Sequence, residues 1–351
     1  MDEHERDFLI DLLEAPSPAG FEAAGQRVWV DYVSTFADEV HTDAYGNAVA
    51  VHRGGDPDVA LTGHADEVGF IVRGVDDGGF LRISRIGSPD PSTARGQHVE
   101  VHAEDGSVPG VIGQSPIHVR DGNGEVDDVE ELRIDVGAPD EETARELVSV
   151  GDPVTITTQV TELADGRLVG RGMDNRTGTW AAAEGLRRAA ERDAAATVYA
   201  VSTVQEELGM KGARMVGHDL DPDAVVAVDV THATDAPDVP EKRYDEVELG
   251  DGPVVGRGSA NHPVLGRAVR EAAEADDIDV QLQAAGRGTG TDADGFYTRR
   301  GGIPSVNVSV PNRYMHTPVE LIDLDDLDAT ADLLAAFAVR AHEHDQFAVD
   351  I

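Results

Sequence analysis

Four short apolar runs in this chain each lead to histidine or acidic side chains, and this pattern constrains the fold more than any other feature. Each run has the length and the β-branched content of a buried strand. An α/β sheet presents its ligand-binding groups just beyond the carboxyl ends of its strands. The runs therefore predict an α/β fold with a functional site at that edge, and they cover residues 59–62, 197–204, 224–228 and 305–310.

The polar residues that follow these runs are the candidate site. A further acid, Asp174, is placed like an N-cap before a helix-forming run. Singly, such residues are common on an acidic protein, so their joint occurrence carries the prediction. Histidines and carboxylates without cysteine are the ligand set of a hydrolytic metal centre. The candidates are His64, Asp66, Asp174, Glu206, Glu207, Asp229 and His316.

The spacing of these candidates suggests different roles for neighbouring residues. Adjacent side chains on a strand point to opposite faces, so Glu206 and Glu207 can converge on one site only where the strand has ended. One of the two could then bind metal while the other stays free as a base. Asp66 is too close to His64 for both to bind one ion comfortably, but it could accept the second imidazole N–H and fix the tautomer. Asp174 could bridge two ions.

Residues 71–169 follow a different pattern from the rest of the chain. Short alternating runs are separated by Asp-Gly turns, and one helix is expected near residues 140–147. This pattern is typical of a small β domain. Because candidate ligands lie on both sides of it, we interpret it as an insertion into an α/β domain formed by residues 1–70 and 170–351. Exposed strand edges are expected on such an insertion.

The composition limits the environment and the partners. The chain has 351 residues, 68 acidic against 28 basic residues, a formal net charge of −40 and no cysteine. Such a charge repels phosphate groups, so nucleic acid and membrane surfaces are poor partners. No apolar run reaches 18 residues and the N-terminus is unlike a signal peptide, which predicts a soluble, cytoplasmic protein. Scattered acids between foldable apolar runs favour a halophilic protein over a merely acidic one.

Five motifs have a distinctive order and spacing: His64-Ala-Asp-Glu-Val-Gly-Phe, Gly172-Met-Asp-Asn-Arg-Thr-Gly, Val204-Gln-Glu-Glu-Leu-Gly-Met-Lys-Gly-Ala, Val228-Asp-Val-Thr-His and Met315-His-Thr-Pro-Val-Glu. A smaller one is Ala15-Pro-Ser-Pro-Ala-Gly. Together they resemble the dinuclear-metal aminopeptidases of the glutamyl/deblocking (TET-type) family over the whole chain. The resemblance implies a zinc-peptidase-like (phosphorylase/hydrolase-like) mixed sheet flanked by helices, with an inserted small β-barrel domain for dimerisation.

The resemblance also implies a role for each candidate residue. His64 and Asp229 would hold one divalent ion, zinc or cobalt, and Glu207 and His316 the other, with Asp174 bridging. Glu206 would be the catalytic base and Asp66 the partner of His64. The family further implies a homo-oligomer, a hollow tetrahedral dodecamer built from dimers.

The predicted function is that of a metalloprotease: an aminopeptidase that removes N-terminal residues from peptides with a two-metal-activated water. Other metal amidohydrolases, such as a deacylase or a carboxypeptidase, are the alternative, and an inactive scaffold on the same fold is a third. Some members of the family are labelled endoglucanases, but a glycosidase would need a metal-free carboxylate pair.

Several features stay open. The Gly-rich loop at residues 286–295 lacks the Lys-Ser/Thr ending of a phosphate cradle. The role of His118 is left open by the sequence. For His232 we favour a supporting role near the site over direct metal binding. The preferred first residue of the substrate is also open. Three arginines in predicted loops could favour a substrate with an acidic first residue, or they could simply form ion pairs with surrounding acidic side chains. They are Arg257, Arg287 and Arg313.

Overall fold

The structure is a computed structural model of the chain, and it describes residues 1–119, 128–237, 239, 246–344 and 346–351. All seven candidate site residues lie within these ranges.

The elements follow one another in three groups. The first group is α1 (Glu3–Glu14), α2 (Ala23–Val33), β1 (Glu39–Thr42), β2 (Ala48–His52) and β3 (Gly55–His64). The second is β4 (Gly69–Val75), β5 (Leu81–Ile86), α3 (Pro91–Ala94), β6 (His98–Ala103), β7 (Gly106–Ile112), β8 (Arg133–Asp135), α4 (Glu141–Leu147) and β9 (Pro153–Ile156). The third is β10 (Thr161–Glu162), β11 (Arg167–Gly170), α5 (Met173–Glu191), β12 (Ala196–Thr203), α6 (Lys211–Asp219), β13 (Ala224–His232), β14 (Val254–Arg257), α7 (Pro263–Ala275), β15 (Gln281–Ala284), α8 (Asp292–Phe296), β16 (Ser305–Asn312), β17 (Glu320–Asp323) and α9 (Leu324–Arg340).

Eight strands form one mixed sheet in the order β1-β2-β12-β3-β13-β16-β14-β15. Its centre, β12, β3, β13 and β16, is parallel. The flanking strands β2 and β14 pair antiparallel with β12 and β16, the two outer strands of this centre. Thr203 pairs with His64, and Asp229 pairs with Ser309. The carboxyl ends of the central strands therefore lie at one edge, and the predicted mixed sheet flanked by helices is confirmed.

Helices cover both faces of this sheet because its strands are apolar on both sides. Val59 and Leu61 belong to the core that also contains residues of α1, α2, α5, α7 and α9, whereas Ala60 faces the core formed with α6 and α8. Trp29 and Trp180 are fully buried in the larger core. Their indole N–H groups donate to the carbonyl oxygens of Thr179 (2.9 Å) and Glu5 (2.8 Å), so this burial leaves no indole donor unsatisfied.

Gly63, the residue before His64, allows α5 to approach the end of β3. A Cβ atom at this position would lie 2.3 Å from the carbonyl carbon of Gly178 and 2.5 Å from the nitrogen of Thr179. A side chain here would therefore push the helix away from the strand. The close approach places the first turn of α5, with Asp174, beside His64.

Strands β4 to β9 form a closed barrel in the order β4-β5-β8-β7-β6-β9, with a hydrophobic core of its own. The barrel lies between β3 and α5 in the sequence, and the predicted inserted β-barrel is confirmed. The expectation of exposed strand edges was wrong, because closure pairs both edges of a sheet. Strand β10 and most of β11 fall within residues 71–169, but they form a separate three-stranded sheet in which β11 pairs with β10 and with β17.

Within the described ranges, none of the helices is long and apolar enough to cross a membrane.

Candidate metal centre

Five of the predicted residues meet at the carboxyl edge of the sheet in two overlapping groups. One group is His64, Asp174 and Asp229, and the other is Asp174, Glu207 and His316. Within each group the potential ligand atoms lie within 4.8 Å of one another. Asp174 belongs to both groups, so the two candidate ion sites share one carboxylate.

Asp174 offers a different oxygen to each group. Its Oδ1 lies 3.1 Å from Nε2 of His64, and its Oδ2 lies 3.2 Å from Nε2 of His316. Nε2 of His64 is also 3.8 Å from Oδ1 of Asp229, and Nε2 of His316 is 3.3 Å from Oε1 of Glu207. A carboxylate that bridges two metal ions with one oxygen on each has this placement of its two oxygens.

Both histidines direct their other ring nitrogen at a main-chain carbonyl. Nδ1 of His64 lies 3.1 Å from the carbonyl oxygen of Asp66, and Nδ1 of His316 lies 3.0 Å from that of Ser88. A carbonyl oxygen can only accept, so Nδ1 carries a proton, and Nε2 is the nitrogen that can offer a lone pair to a metal ion once the ring is neutral. Both Nε2 atoms face the carboxylates of the two groups.

Asp66 lies against His64 and also supports the site in a second way, which was not predicted. Its Oδ1 lies 3.5 Å from Nδ1 of His64, farther than its main-chain oxygen, so the main chain makes the closer contact with the imidazole. The carboxylate also accepts the backbone N–H groups of Glu206 (2.9 Å) and Glu207 (3.0 Å). Asp66 therefore links the His64 loop to the turn that carries the two glutamates.

Asp174 is not the N-cap of α5, contrary to the sequence prediction. The helix follows Gly172, and Asp174 and Asn175 depart from helical φ and ψ angles within its first turn. Asn175 provides the capping hydrogen bond, since its Oδ1 accepts from the N–H of Gly178 at 2.9 Å. Its Nδ2 donates to the carbonyl oxygen of Val228 at 2.8 Å, which ties the first turn of α5 to β13. The Asp174 carboxylate is thereby left to contact the two histidines.

Glu320 is a supporting residue that the sequence analysis quoted in a motif but gave no role. Its side chain is buried, and its Oε2 accepts the N–H of Asp174 at 3.0 Å. Its Oε1 accepts the N–H of His316 at 2.8 Å. Burial, together with the nearby Asp174 carboxylate, raises the pKa of Glu320 to about 8. One carboxylate therefore fixes the backbone of two candidate ligands.

The electrostatics of the centre call for positive charge. Burial raises the pKa values of Glu207 and Asp229, and Asp174 raises them further. Burial would lower the pKa of His316, but hydrogen bonds with Asp174 and Glu207 raise it to about 11. Burial would likewise lower the pKa of His64, but hydrogen bonds with carboxylates leave it well above its ordinary value. Without metal, imidazolium groups therefore balance the carboxylates.

The residues present fit divalent metal ions. Metal binding at such a centre displaces the imidazole protons and supplies the missing positive charge. Nitrogen and carboxylate oxygen ligands without thiolate suit divalent transition-metal ions.

Glu206 differs from Glu207 in its surroundings. Among the described residues, neither ligand group includes Glu206. Burial raises the pKa of Glu206 to about 10, and the carboxylates of Asp229, Asp292 and Glu207 contribute in the same direction. Its carboxyl group thus lies beside the centre without belonging to either group.

Two further buried carboxylates lie close to the centre and were given no role by the sequence. Glu67 forms ion pairs with Arg171 and Arg176, and its Oε1 lies 2.9 Å from Nη2 of Arg176. Burial opposes ionisation, but these guanidinium groups hold the pKa of Glu67 at about 2. Asp292 accepts a hydrogen bond from the hydroxyl of Thr203, and burial raises the pKa of Asp292 to about 7.

The structure shows the contacts of several residues whose roles the sequence left open. The amides of Thr289 and Gly290 donate to Asp294 at 3.0–3.2 Å, so this part of the Gly-rich loop already has its anionic partner. Arg313 pairs with Asp235 through two contacts of 2.7 and 2.6 Å, which favours the simple ion-pair interpretation. His232 ends β13, and burial and nearby His316 lower the pKa of His232.

The remaining open side chains, Arg257, Arg287 and His118, are exposed.

Comparison with known proteins gives one consistent result. The sequence profile of the M42 glutamyl aminopeptidase family matches residues 46–333. The lysyl aminopeptidase of Pyrococcus furiosus is 35% identical over 336 residues, which cover 94% of this chain and 95% of that protein. The crystal structure of a TET aminopeptidase from Thaumarchaeota archaeon SCGC AB-539-E09 has a TM-score of 0.90 and 31% identity, with 97% of each chain covered.

A second solved structure adds information on assembly. The TET1 peptidase of Pyrococcus horikoshii, described as assembling into a tetrahedron or a large octahedral shell, has a TM-score of 0.85 and 30% identity. The match covers 95% of this chain and 99% of that one.

Proposed function

Because the chain belongs to the M42 glutamyl aminopeptidase family, we propose that the two ligand groups that share Asp174 hold two divalent ions, zinc or cobalt. With these ions the enzyme cleaves the first peptide bond of substrates that have a free N-terminus. The chain is a metal-dependent aminopeptidase, a hydrolase that acts on peptide bonds. The observation that supports the two-ion proposal best is the division of the Asp174 oxygens between His64 and His316, at 3.1 and 3.2 Å.

The proposed ligand sets follow from the two groups. His64 and Asp229 would hold one ion, Glu207 and His316 the other, and Asp174 both. These residues would hold two divalent ions, which would supply water activation and polarisation of the scissile carbonyl group. The protein contributes fixed ligand directions through the carbonyl contacts of both histidines and through Glu320.

Glu206 is the proposed base. It accepts a proton from the attacking water and passes this proton to the leaving amine, so the same carboxyl group serves both halves of the reaction. Positive charge at the two ligand groups lowers the pKa of Glu206 from its high value, because a nearby cation favours the carboxylate form. Glu206 can therefore be ionised in the loaded enzyme and still hold a proton transiently.

The substrate approaches through a pocket between the α/β part and the barrel. Asp174, His316 and Pro318 line it on one side, and Phe70 of β4 and Ile156 of β9 line it on the other. We propose that the N-terminal residue of the peptide enters here, since the pocket borders the second ligand group.

A panel of substrates tests the function. With metal present, aminoacyl p-nitroanilides are expected to be hydrolysed, whereas N-acetylated analogues, peptides offered only for C-terminal cleavage and β-glucans are not. A chelator should abolish the activity and added zinc or cobalt restore it. Preferential cleavage of the N-acylated substrates would instead support a deacylase, and C-terminal cleavage a carboxypeptidase. The panel also reports the preferred first residue.

We also propose that the chain forms a homo-oligomer, a dodecamer, with dimer contacts on the barrel. The tetrahedral assembly described for the Pyrococcus horikoshii relative supports a closed homo-oligomer. Closure of the barrel removes strand edges as the reason for association, so apolar surface has to provide it. Ile117 (73% exposed) and Val119 (74%), in the segment between β7 and β8, are apolar residues of this kind.

Light scattering in molar salt tests this assembly. Replacing Ile117 and Val119 with aspartate should lower the mass of the particle. The matched control is Tyr45→Asp, since Tyr45 is also an exposed apolar residue (64%) but lies outside the barrel. A monomeric wild type, or a particle unchanged by the barrel substitutions, would contradict the proposed contacts.

A further inference from the structure

The turn that follows β12 carries both glutamates of the centre, and its backbone N–H groups are held by side chains from other segments. Four consecutive N–H groups, those of residues 204–207, donate to side chains of other segments. Val204 donates to Oδ1 of Asn47 at 3.0 Å. Gln205 donates to Oε1 of Glu22 at 3.0 Å, and Glu206 and Glu207 donate to Asp66.

Gln205 is the residue of this turn that most needs support. Its φ angle is +56°, in the left-handed region that residues with a side chain adopt at a cost. Such a conformation persists where the surrounding structure fixes it. The N–H of Gln205 donates to the Glu22 carboxyl group. Glu22 therefore holds the strained residue that precedes Glu206.

Glu22 is itself held rigidly. It is 4% exposed and stands at the start of α2. Its Oε1 accepts a second N–H, that of Gly20, at 2.6 Å. One turn further along α2, Nε2 of Gln26 donates to the carbonyl oxygens of Gly46 (2.8 Å) and Ser202 (2.9 Å), which ties the helix to the end of β12.

The loop before Glu22 braces the other side of the centre. Ala19 donates its N–H to the carbonyl oxygen of Glu67 at 3.1 Å, and Glu67 donates its own to Ser17 at 3.0 Å. The segment of residues 17–22 thus contacts the backbone of both the His64 loop and the glutamate turn. Its sequence motif gains a physical role: it fixes the two segments relative to each other.

We propose that Glu22 is a positioning residue, which places the Glu206 carboxyl group for proton transfer by accepting the backbone N–H of Gln205. The proposal rests on the role of Glu206 given under the proposed function. What Glu22 contributes is an acceptor oxygen at a fixed place. Burial and the nearby Asp66 raise the pKa of Glu22 to about 7, so a negative charge is disfavoured here.

Two substitutions separate the acceptor from the charge. Glu22→Gln keeps a carbonyl oxygen at the same distance along the side chain, and one such oxygen has two lone pairs for the two N–H groups. Glu22→Asp keeps the charge but withdraws the oxygens by one methylene. With saturating metal, we expect Glu22→Asp to lower kcat roughly 10–100-fold, as small misplacements of reacting groups do. KM should stay within about threefold, and Glu22→Gln should keep kcat within about threefold of wild type.

A matched control separates positioning from a general loss of stability. Asp326 is a buried carboxylate that accepts the N–H groups of Gly250 and Gly252, both at 2.8 Å, and supports a different loop. Asp326→Glu changes its length by the same methylene and should alter the melting temperature but not kcat of the folded enzyme. Hydrogen exchange adds a readout that needs no activity: the amide of Gln205 should exchange faster in Glu22→Asp than in Glu22→Gln.

The outcomes distinguish this proposal from the proposed function. A wild-type enzyme that hydrolyses peptides while Glu22→Asp has unchanged kcat and exchange overturns the positioning role alone. Glu22→Gln as slow as Glu22→Asp, or slower, also overturns it, because the charge would then matter. An inactive wild type with two bound ions contradicts the proposed function, whereas the exchange rates still decide whether Glu22 holds the turn.

Discussion

Replacing Glu206 with glutamine is expected to lower kcat by roughly 10²–10⁴-fold, the usual contribution of a general acid–base group, while both metal ions stay bound. Glutamine keeps the shape of the side chain but cannot take a proton from water. Glu206 lies outside both ligand groups of the described residues, so its amide form removes no ligand. Its backbone N–H stays fixed on Asp66. Steady-state kinetics and metal analysis of the same preparation measure both quantities.

Glu207→Gln is the matched comparison, because the two glutamates are neighbours on one turn. Glu207 belongs to the second ligand group, with Oε1 at 3.3 Å from Nε2 of His316. Its neutral amide is a poorer ligand than a carboxylate. We expect a lower metal content as well as a lower rate, with partial recovery in excess metal. Metal loss in the Glu206 variant, with full metal content in the Glu207 variant, would show that the two roles are reversed.

Removing salt is also expected to have a large effect: it should unfold the protein and abolish its activity. We propose that the protein is halophilic, since a formal net charge of −40 has to be screened. The Debye length is about 3 Å at 1 M salt and about 10 Å at 0.1 M, so repulsion between separated surface acids reappears on dilution. Activity and circular dichroism across a potassium chloride series measure the transition.

A control distinguishes charge screening from general stabilisation. Sucrose strengthens burial because it is excluded from protein surfaces, but it does not screen charge. It should therefore fail to replace salt. Full activity after dialysis to about 0.05 M salt, where repulsion reaches beyond 10 Å, would show that the acidity is incidental.

Much of the fold follows from local sequence patterns. The apolar runs predict where the strands that carry the centre lie, because burial on both faces demands continuous apolar residues. Their ends are predicted less well, since β13 (Ala224–His232) continues through the ligand Asp229, which the sequence places after its strand. The period-2 runs likewise predict the barrel strands. Pairing between distant segments leaves no such local pattern: the barrel closure of β4 on β9 and the pairing of β11 with β17 depend on contacts far apart in the chain.

In the metal centre, too, some residues could be predicted from the sequence and others could not. The ligands were predictable because metal chemistry restricts them to a few residue types at strand ends. The residues that orient them, such as Glu22, Asn175 and Glu320, act by accepting backbone N–H groups. Any acceptor of suitable length can do this, and the donors are close only in the folded chain. Asp66 illustrates the limit, since its importance was predicted but its carboxylate supports the glutamate turn.

Metal analysis of the protein, purified and dialysed against metal-free buffer in molar salt, is the most direct test of the two-ion centre. Two divalent ions per chain are expected in the wild type, and Asp174→Asn should lose metal from both positions, because Asp174 contributes an oxygen to each ligand group. Tyr45→Asp, distant in sequence from every ligand, should keep the wild-type content. A wild type that binds no ion after zinc or cobalt is supplied, or a metal content unchanged by Asp174→Asn, would contradict a shared dinuclear centre.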